Sequence, residues 1–205
     1  MSAAKDDTVP DGSSTIRAGG SAMELLREVG AVLEGHFQYA SGRHGPLYVE
    51  KFRLLEDPVA TTRLCGMLAE HFADAGAEVV VGPTTGGVML AFETGRQMGL
   101  PNYFAESVED GEGREFRRGF QFRPGQRTLV VDDVLTTGGS LRDTIEAVRA
   151  AGGDPVGVGV IVDRSGGRTE FGLPFFGCMT LDIESFDAED CPLCADPNGP
   201  ELTIT

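Results

Sequence analysis

Residues 128–140 constrain the fold more than any other part of this sequence. An apolar run leads into two acidic residues, Asp132 and Asp133, and a turn rich in threonine and glycine follows before a helical pattern begins. Ligands of open α/β sheets bind beyond the C-terminal ends of the strands. Gly138 and Gly139 allow the backbone to approach a ligand closely, and the N–H groups that open the next helix favour a phosphate. The segment therefore predicts a strand, a phosphate-binding turn and a helix.

The remaining periodicities predict strands that alternate with helices. Short β-branched or apolar runs predict strands at 78–82, 102–105, 116–122, 128–132 and 155–162. Apolar residues at helical spacing predict helices at 21–34, 57–72, 88–98 and 141–150. Strands that alternate with helices imply βαβ units. We therefore expect the α/β class, with a mostly parallel central sheet flanked by helices.

The folded part of the chain is expected to be a single domain. The 205 residues suffice for one sizeable domain and leave little room for a second. Residues 1–20 have little apolar content and are interpreted as a disordered tail, and the short, turn-rich residues 196–205 as a loose C-terminal tail. The domain then spans 21–195. Residues 107–115 are polar and predict a mobile loop within it.

The net charge of the chain limits the classes of molecule that it can be expected to bind. The formal net charge is −15, which argues against nucleic acid because its phosphates would be repelled. A small phosphorylated substrate stays compatible, since a pocket can be positive on an acidic protein. No run of about 18 apolar residues is present, so no membrane partner is expected. The four cysteines are too few for a disulfide scaffold, and we expect a cytoplasmic protein.

Residues 128–140 resemble the phosphoribosyl-pyrophosphate (PRPP) signature of type I phosphoribosyltransferases over their whole length. The resemblance implies the fold of that family, with a small N-terminal hood beside the central sheet. It also implies a catalytic role for Asp132 and Asp133, which would hold the ribose hydroxyls of PRPP. The following turn would hold the 5′-phosphate through Val134, Leu135, Thr136, Thr137, Gly138, Gly139 and Ser140.

Two further segments are similar to the orotate phosphoribosyltransferase family. Residues 35–48 resemble the N-terminal segment that helps to enclose orotate. Residues 82–87 resemble the pyrophosphate-binding loop, which often holds a cis peptide in this family. The second resemblance implies PRPP contacts from Thr84, Thr85 and Gly86.

The orotate contacts implied by the resemblance come from two other positions. Residues 161–167 resemble a later strand end whose arginine binds orotate. Arg164 occupies that position, and its guanidinium suits a planar carboxylate. Thr136 would contact orotate as well.

The resemblance also implies a reaction and an assembly. The reaction is transfer of the phosphoribosyl group from PRPP to orotate, in a homodimer whose mobile loop reaches the neighbouring active site. Mg²⁺ is the expected cofactor, held mainly by PRPP, pyrophosphate and water rather than by protein ligands.

The sequence departs from the family at several lysines. Many members carry a lysine where this chain has Gly86, and another where it has Ala40. The family's mobile loop contains lysine and histidine, whereas this chain offers Arg114, Arg117 and Arg118. We interpret the last two as catalytic substitutes for the missing lysines, with a solvated strand end as the alternative. Two other functions stay open: a phosphoribosyltransferase for another nucleobase, and a PRPP-binding regulator without catalysis.

Cys191 and Cys194 have the C-x-x-C spacing of half a zinc site. Structural packing, a metal and a disulfide are all compatible with this spacing, and two subunits could pool their pairs. His36 and His44 have no shared spacing that suggests a metal site, although His44 is a candidate for the orotate pocket. Lys51 could reach a phosphate or lie on the surface.

Overall fold

The computed structural model describes residues 15–18, 20–109 and 111–205, which form ten strands and six α-helices. The strands are β1 (Thr15–Ala18), β2 (Val32–Gln38), β3 (His44–Val49), β4 (Val79–Pro83), β5 (Asn102–Ser107), β6 (Arg114–Glu115), β7 (Gln126–Leu135), β8 (Gly153–Asp163), β9 (Phe175–Asp182) and β10 (Leu202–Ile204). The helices are α1 (Gly20–Glu28), α2 (Lys51–Leu55), α3 (Pro58–His71), α4 (Gly86–Met98), α5 (Gly139–Ala150) and α6 (Pro192–Ala195).

Seven strands form the main sheet in the order β1-β9-β8-β7-β4-β5-β6. The inner strands from β9 to β5 are parallel, and the edge strands β1 and β6 are antiparallel to their neighbours. Parallel neighbours need crossover connections, and α4 and α5 supply two of them, from β4 to β5 and from β7 to β8. The α/β class with a mostly parallel central sheet is confirmed.

The core lies on both faces of this sheet. Alternate residues of a strand point to opposite faces. On β7, Leu129 and Val131 therefore join the cluster that contains α1, α3 and α4, whereas Val130 joins the cluster under α5. The helix α3 begins at Pro58 because the Asp57 carboxylate accepts hydrogen bonds from the first free N–H groups of the helix. Strands buried on both sides explain the continuous apolar runs in the sequence.

A second, three-stranded sheet has the order β10-β2-β3, and we call it the hood. β2 and β3 form an antiparallel hairpin, and β10 joins β2 in parallel. An isolated bridge pairs His44 of the hood with Phe186, which follows β9 in the chain. The hood is thus tied to the C-terminal part of the chain.

Two predicted elements are wrong. The helix predicted over 21–34 ends at Glu28, because Gly30 adopts a positive φ of 68° and the apolar residues that follow belong to β2. Those residues pair with β3, and this long-range pairing overrides the helical spacing. The strand predicted over 116–122 is absent from the described residues there; the strand that pairs with β5 is Arg114–Glu115 instead.

Each of the two segments predicted to be tails contains a short strand. β1 lies within the predicted N-terminal tail and pairs with β9, whereas residues 1–14 and 19 lie outside the described residues. β10 lies within the segment predicted to be loose, and it pairs with β2. No helix of the described residues is long and apolar enough to cross a membrane.

Candidate active site

Three neighbouring strands of the main sheet end at one edge. β4 ends at Pro83, β7 at Leu135 and β8 at Asp163, and the three strands run in parallel. The C-terminal edge of a parallel sheet is where α/β proteins bind ligands. The segments that leave these strands are the ones that the sequence singles out, at 84–87, 136–140 and 164–167.

The acid pair lies inside β7 rather than after it. Asp132 and Asp133 are both buried, and each accepts a hydrogen bond from the next backbone N–H, at 2.9 Å and 2.7 Å respectively. Burial, and after it the negative charge of Asp133, raise the pKa of Asp132 to about 7. Two buried carboxylates side by side are short of positive charge and of donors.

Lys51 is the cation nearest to the acid pair. It begins α2, and its Nζ lies 3.1 Å from Oδ2 of Asp133 and 3.5 Å from Oδ1. Oδ2 is buried, yet among the described residues no donor approaches it with the angles of a hydrogen bond. Lys51 therefore neutralises part of the charge and leaves this oxygen with spare capacity for a cation or a hydroxyl group.

The turn between β7 and α5 presents backbone donors. Gly138 occupies the N-cap position of α5 with a φ of 83°, and no described side chain caps the helix. The positive φ would strain any larger residue at Gly138, and its Cβ would lie 3.0 Å from both Arg142 Nη1 and Thr169 Cγ2, so these side chains would have to shift. Thr136 and Thr137 are exposed. An uncapped helix start with free N–H groups and flanking hydroxyls is suited to a phosphate.

The loop between β4 and α4 faces the acid pair. The Thr84–Thr85 peptide is cis, as the resemblance implies. A Cβ at Gly86 would collide with Oδ2 of Asp133, so this position has no room for a side chain in this arrangement. Thr85 is the N-cap residue of α4, and no described side chain caps that helix either. Two helix starts thus point at one edge from neighbouring loops.

Arg114 joins these two loops. Its Nη1 lies 3.3 Å from Thr84 Oγ1 and 3.2 Å from the Ala105 carbonyl, and its Nη2 lies 3.0 Å from Ser140 Oγ. The side chain is positioned by β6, which pairs with β5 next to β4. The Arg114 guanidinium therefore places one positive charge between the two loops, on a protein whose net charge is −15.

Arg164 extends the edge toward the hood. Its backbone N–H donates to the Leu135 carbonyl at 2.8 Å, and its guanidinium lies 5.1 Å from the centre of the Tyr39 ring. The buried Asp163 carboxylate shapes the turn, because it accepts hydrogen bonds from the N–H groups of Ser165 and Gly167. A guanidinium stacked on an aromatic ring is well suited to bind a flat anion.

Comparisons with known proteins agree with this geometry. The sequence profile described as a phosphoribosyl transferase domain matches residues 55–186. An orotate phosphoribosyltransferase of Caldicellulosiruptor bescii is 43% identical over 174 residues, which are 85% of this chain and 90% of that protein. The chain belongs to the orotate phosphoribosyltransferase family.

Solved structures of the orotate phosphoribosyltransferase family are also similar. The enzyme of Aeropyrum pernix has a TM-score of 0.66 and 30% identity, covering 77% of this chain and 92% of that one. The enzyme of Mycobacterium tuberculosis H37Rv, in complex with inorganic phosphate, has a TM-score of 0.63 and 29% identity, covering 78% and 94%. The type I phosphoribosyltransferase fold expected from the sequence is confirmed.

Arg117 and Arg118, the predicted substitutes for the family lysines, lie away from the two loops. Arg117 contacts Glu115 at 2.6 Å and Glu109 at 3.2 Å, and Arg118 contacts Glu106 at 2.7 Å. Their side chains are partly to largely exposed, and every ion pair and hydrogen bond described for these two side chains is with residues 106–115. Their catalytic role stays a prediction.

Sequence reasoning missed two contacts of this site. Lys51 reaches the acid pair from the first position of α2, and Arg114 reaches both loops because β6 pairs with β5. A signal for each was present: Lys51 is the one lysine in the described part of the chain, and Arg114 is the one arginine within the polar loop at 107–115. Neither signal specifies a partner, because the partners are far away in sequence.

Proposed function

We propose that the chain transfers the phosphoribosyl group of PRPP to orotate and releases pyrophosphate and orotidine 5′-phosphate. The convergence of the two uncapped helix starts, the acid pair and Arg164 on one sheet edge carries this proposal. The names of the relatives support the choice of orotate as the acceptor. Synthesis of the pyrimidine nucleotide precursor is the corresponding role.

PRPP would lie along this edge with its phosphates on the two helix starts. The α5 start and the hydroxyls of Thr136, Thr137 and Ser140 would receive the 5′-phosphate. The loop at 84–87 and Arg114 would receive the pyrophosphate group, because the helix start of α4 and the Arg114 guanidinium both present donors there. Asp132 and Asp133 would then accept hydrogen bonds from the ribose hydroxyls.

The protein would lower the barrier through position and charge. Orotate N1 attacks the anomeric carbon while the bond to pyrophosphate breaks, and positive charge develops on the ribose ring. The buried acid pair lies where it can stabilise that charge, and Arg114 where it can stabilise the charge that builds up on pyrophosphate. No covalent bond to the protein is needed.

The acid pair also fits the Mg²⁺ that this family implies. Oδ2 of Asp133 is buried without a hydrogen bond, and the pKa of Asp132 is raised by burial and by Asp133, so the pair is short of positive charge. Carboxylate oxygens are ligands that Mg²⁺ accepts, usually with several waters and substrate phosphates. When bound, Mg²⁺ would neutralise pyrophosphate and ribose oxygens.

Arg164 and Tyr39 would select the base. The Arg164 guanidinium can hold the orotate carboxylate with two parallel hydrogen bonds. The Tyr39 hydroxyl donates to the Leu47 carbonyl at 2.7 Å, which holds the ring under the guanidinium. A neutral nucleobase offers no anion to this arginine, and orotate is therefore favoured.

The loop and the assembly complete the proposal. The segment 107–118 carries Arg117 and Arg118, which would exchange their acidic partners for pyrophosphate on closure.

Met89 and Phe92 of α4 are exposed and line an apolar groove together with Phe104. Such a patch suits a second copy of the chain, and sedimentation at assay concentration is expected to detect a dimer. A monomer that is fully active would contradict this assembly.

One assay tests the activity. The purified chain is mixed with PRPP, Mg²⁺ and orotate, and orotate absorbance is followed. Loss of absorbance that depends on all three supports the proposal. Turnover of another nucleobase but not of orotate would identify a different phosphoribosyltransferase, and PRPP binding without turnover of any base would identify a regulator.

A further inference from the structure

We propose that the hood carries a structural zinc site made by His36, His44, Cys191 and Cys194. Each residue offers one ligand atom, and the four atoms all lie within 4.8 Å of one another. The site lies outside the sheet edge described above. All four ligands come from one chain. The two histidines complete the half-site of the C-x-x-C pair, so no second subunit is needed.

Four of the six distances between the ligand atoms lie within about 0.4 Å of those in a tetrahedral zinc site. His36 Nε2 lies 3.0 Å from His44 Nδ1, and His44 Nδ1 lies 3.2 Å from Cys194 Sγ. His36 Nε2 lies 3.6 Å from each of the two Sγ atoms. Tetrahedral zinc with Zn–N of about 2.0–2.1 Å and Zn–S of about 2.3 Å separates two nitrogens by about 3.3 Å and a nitrogen and a sulfur by about 3.6 Å.

The chemistry of the four ligands favours zinc. Two thiolates and two imidazoles form a common structural zinc set, whereas Mg²⁺ and Ca²⁺ take oxygen ligands. Four protein ligands also leave no open position for a substrate, which is typical of a structural rather than a catalytic site. Three of the four residues are buried, and only Cys194 is exposed.

Without a cation, this arrangement is poorly satisfied. Nε2 of His36 can share one hydrogen bond with Nδ1 of His44. The Sγ atoms of Cys191 and Cys194 also lie within 3.6 Å of the same nitrogen. One imidazole nitrogen cannot serve three such partners as a donor or an acceptor. Both cysteines are free thiols, so a disulfide does not hold the cluster together either.

The surrounding contacts bring the ligands together from distant parts of the chain. His36 lies on β2, His44 begins β3, and the two cysteines lie at α6. Next to the cluster, His44 and Phe186 exchange backbone hydrogen bonds of 2.8 Å and 2.9 Å. Arg43 contacts Asp187 at 2.7 Å and donates to the Ser185 hydroxyl and carbonyl. The metal would join the hairpin of the hood to the segment after β9.

This position gives the zinc a structural role beside the active site. Tyr39 lies in the turn between the two histidine-bearing strands, and its ring lies under Arg164. Fixing the hairpin would therefore fix the ring against which orotate is proposed to bind, a consequence that rests on the proposed function. The metal site itself does not depend on it.

Metal analysis of the purified full chain tests the site. The chain is expressed with zinc in the medium, passed over a desalting column and measured by plasma mass spectrometry. About one zinc per chain is expected, and the double variant Cys191→Ser/Cys194→Ser should hold less than a tenth of that. Cys65→Ala and Cys178→Ala change the two core cysteines outside the cluster, and each should keep its zinc.

A second measurement uses the unaltered chain, so that misfolding of a variant cannot decide the question. The zinc is removed with a chelator and replaced by Co²⁺, whose absorption spectrum reports thiolate ligands and tetrahedral geometry. Strong visible bands and a sulfur-to-cobalt band in the near ultraviolet are expected. A chain without zinc and without these bands, or an intact mass lower by two hydrogens because of a Cys191–Cys194 disulfide, would overturn the proposal.

Orotate kinetics then separate the metal site from the proposed reaction. Removal of zinc should raise the KM for orotate several-fold more than the KM for PRPP, since the hood faces the base. If orotate is not turned over at all, the proposed function fails while the zinc content still decides the metal site.

Discussion

The phosphate edge, formed by residues 84–87 and 132–140, and the hood are built in opposite ways. The phosphate edge consists of two contiguous segments, in each of which a strand passes directly into a helix. The hood gathers strands from both ends of the described chain: Thr205 donates to the Gln38 carbonyl across 167 positions. Local sequence therefore specifies the first region, and long-range pairing specifies the second.

The phosphate edge and the hairpin turn of the hood, residues 39–43, also differ in how well their polar and charged groups are satisfied. At the phosphate edge, Oδ2 of Asp133 lacks a hydrogen bond and the pKa of Asp132 is raised. In the hood, Arg43 is fully engaged by Asp187 and Ser185, and Tyr39 donates to a carbonyl. Unsatisfied groups are typical of a site that awaits its ligand. Substitutions at the edge should therefore affect turnover, and substitutions around the hood should affect base binding.

The largest effect is expected from Asp133→Asn. The change removes a buried charge that faces the developing positive charge of the ribose, and kcat should fall by about 10²–10³. The thermal midpoint should change little, because the ion pair with Lys51 is half exposed on the lysine side. Steady-state orotate turnover and thermal unfolding measure the two effects. Asp154→Asn is the matched control, because Asp154 lies near the start of β8, at the opposite edge of the sheet. An unchanged kcat in Asp133→Asn would contradict the role of the acid pair.

Substitution of Arg114 is expected to lower activity more than substitution of Arg117, because Arg114 contacts both loops of the phosphate edge. Arg114→Ala removes the contact with both loops, and kcat/KM for PRPP should fall by about 100-fold. Arg117→Ala should lower kcat by roughly tenfold, because we propose that its guanidinium reaches pyrophosphate only when the loop closes.

The Arg117 variant should not unfold the protein, because its ion pairs with Glu109 and Glu115 lie at the surface, where such pairs contribute little to stability. Arg123→Ala, which breaks an exposed pair with Glu78, serves as the control and should be fully active. Equal turnover in Arg117→Ala and the unaltered chain would remove Arg117 from the site.

A smaller, selective effect is expected where the edge meets the hood. Arg164→Lys keeps the charge but loses the planar fork, so the KM for orotate should rise about tenfold while the KM for PRPP stays constant. Arg168→Lys changes an exposed arginine of the same turn, whose partner is Asp182, and should leave both constants unchanged. A parallel rise in both KM values would argue that Arg164 holds the fold of the edge rather than orotate.

The smallest effect concerns stability and its pH dependence. The pKa of Asp132 is raised from its ordinary value of 3.8 to about 7, so ionisation disfavours the folded state. Protonated Asp132 contributes fully to the free energy of unfolding below the pKa of the group in the unfolded chain. This contribution is lost as pH rises through about 7. Asp132→Asn should therefore raise the thermal midpoint at pH 8 by a few degrees and alter it less at pH 5. A midpoint difference that is the same at both pH values would contradict this linkage.

Predictions from sequence succeeded where one segment contains all that is needed. The strand, turn and helix at 128–140 are recovered as β7 and α5, and Asp57 begins α3 as its side chain demands. Prediction failed where pairing with a strand distant in sequence determines the secondary structure. The spacing at 21–34 is compatible with a helix, but pairing with β3 makes its last three residues part of a strand.

The sequence by itself determined the α/β class, the phosphate-binding turn and the family, because these depend on local periodicity and on residues adjacent in the chain. Only the tertiary structure decided that Lys51 meets Asp133 and that Arg114 spans two loops. It also decided that two histidines without metal-site spacing meet Cys191 and Cys194. The physical reason is that these groups act at distances of a few ångströms, and the closure of long loops that brings them together leaves no periodic signal in the chain.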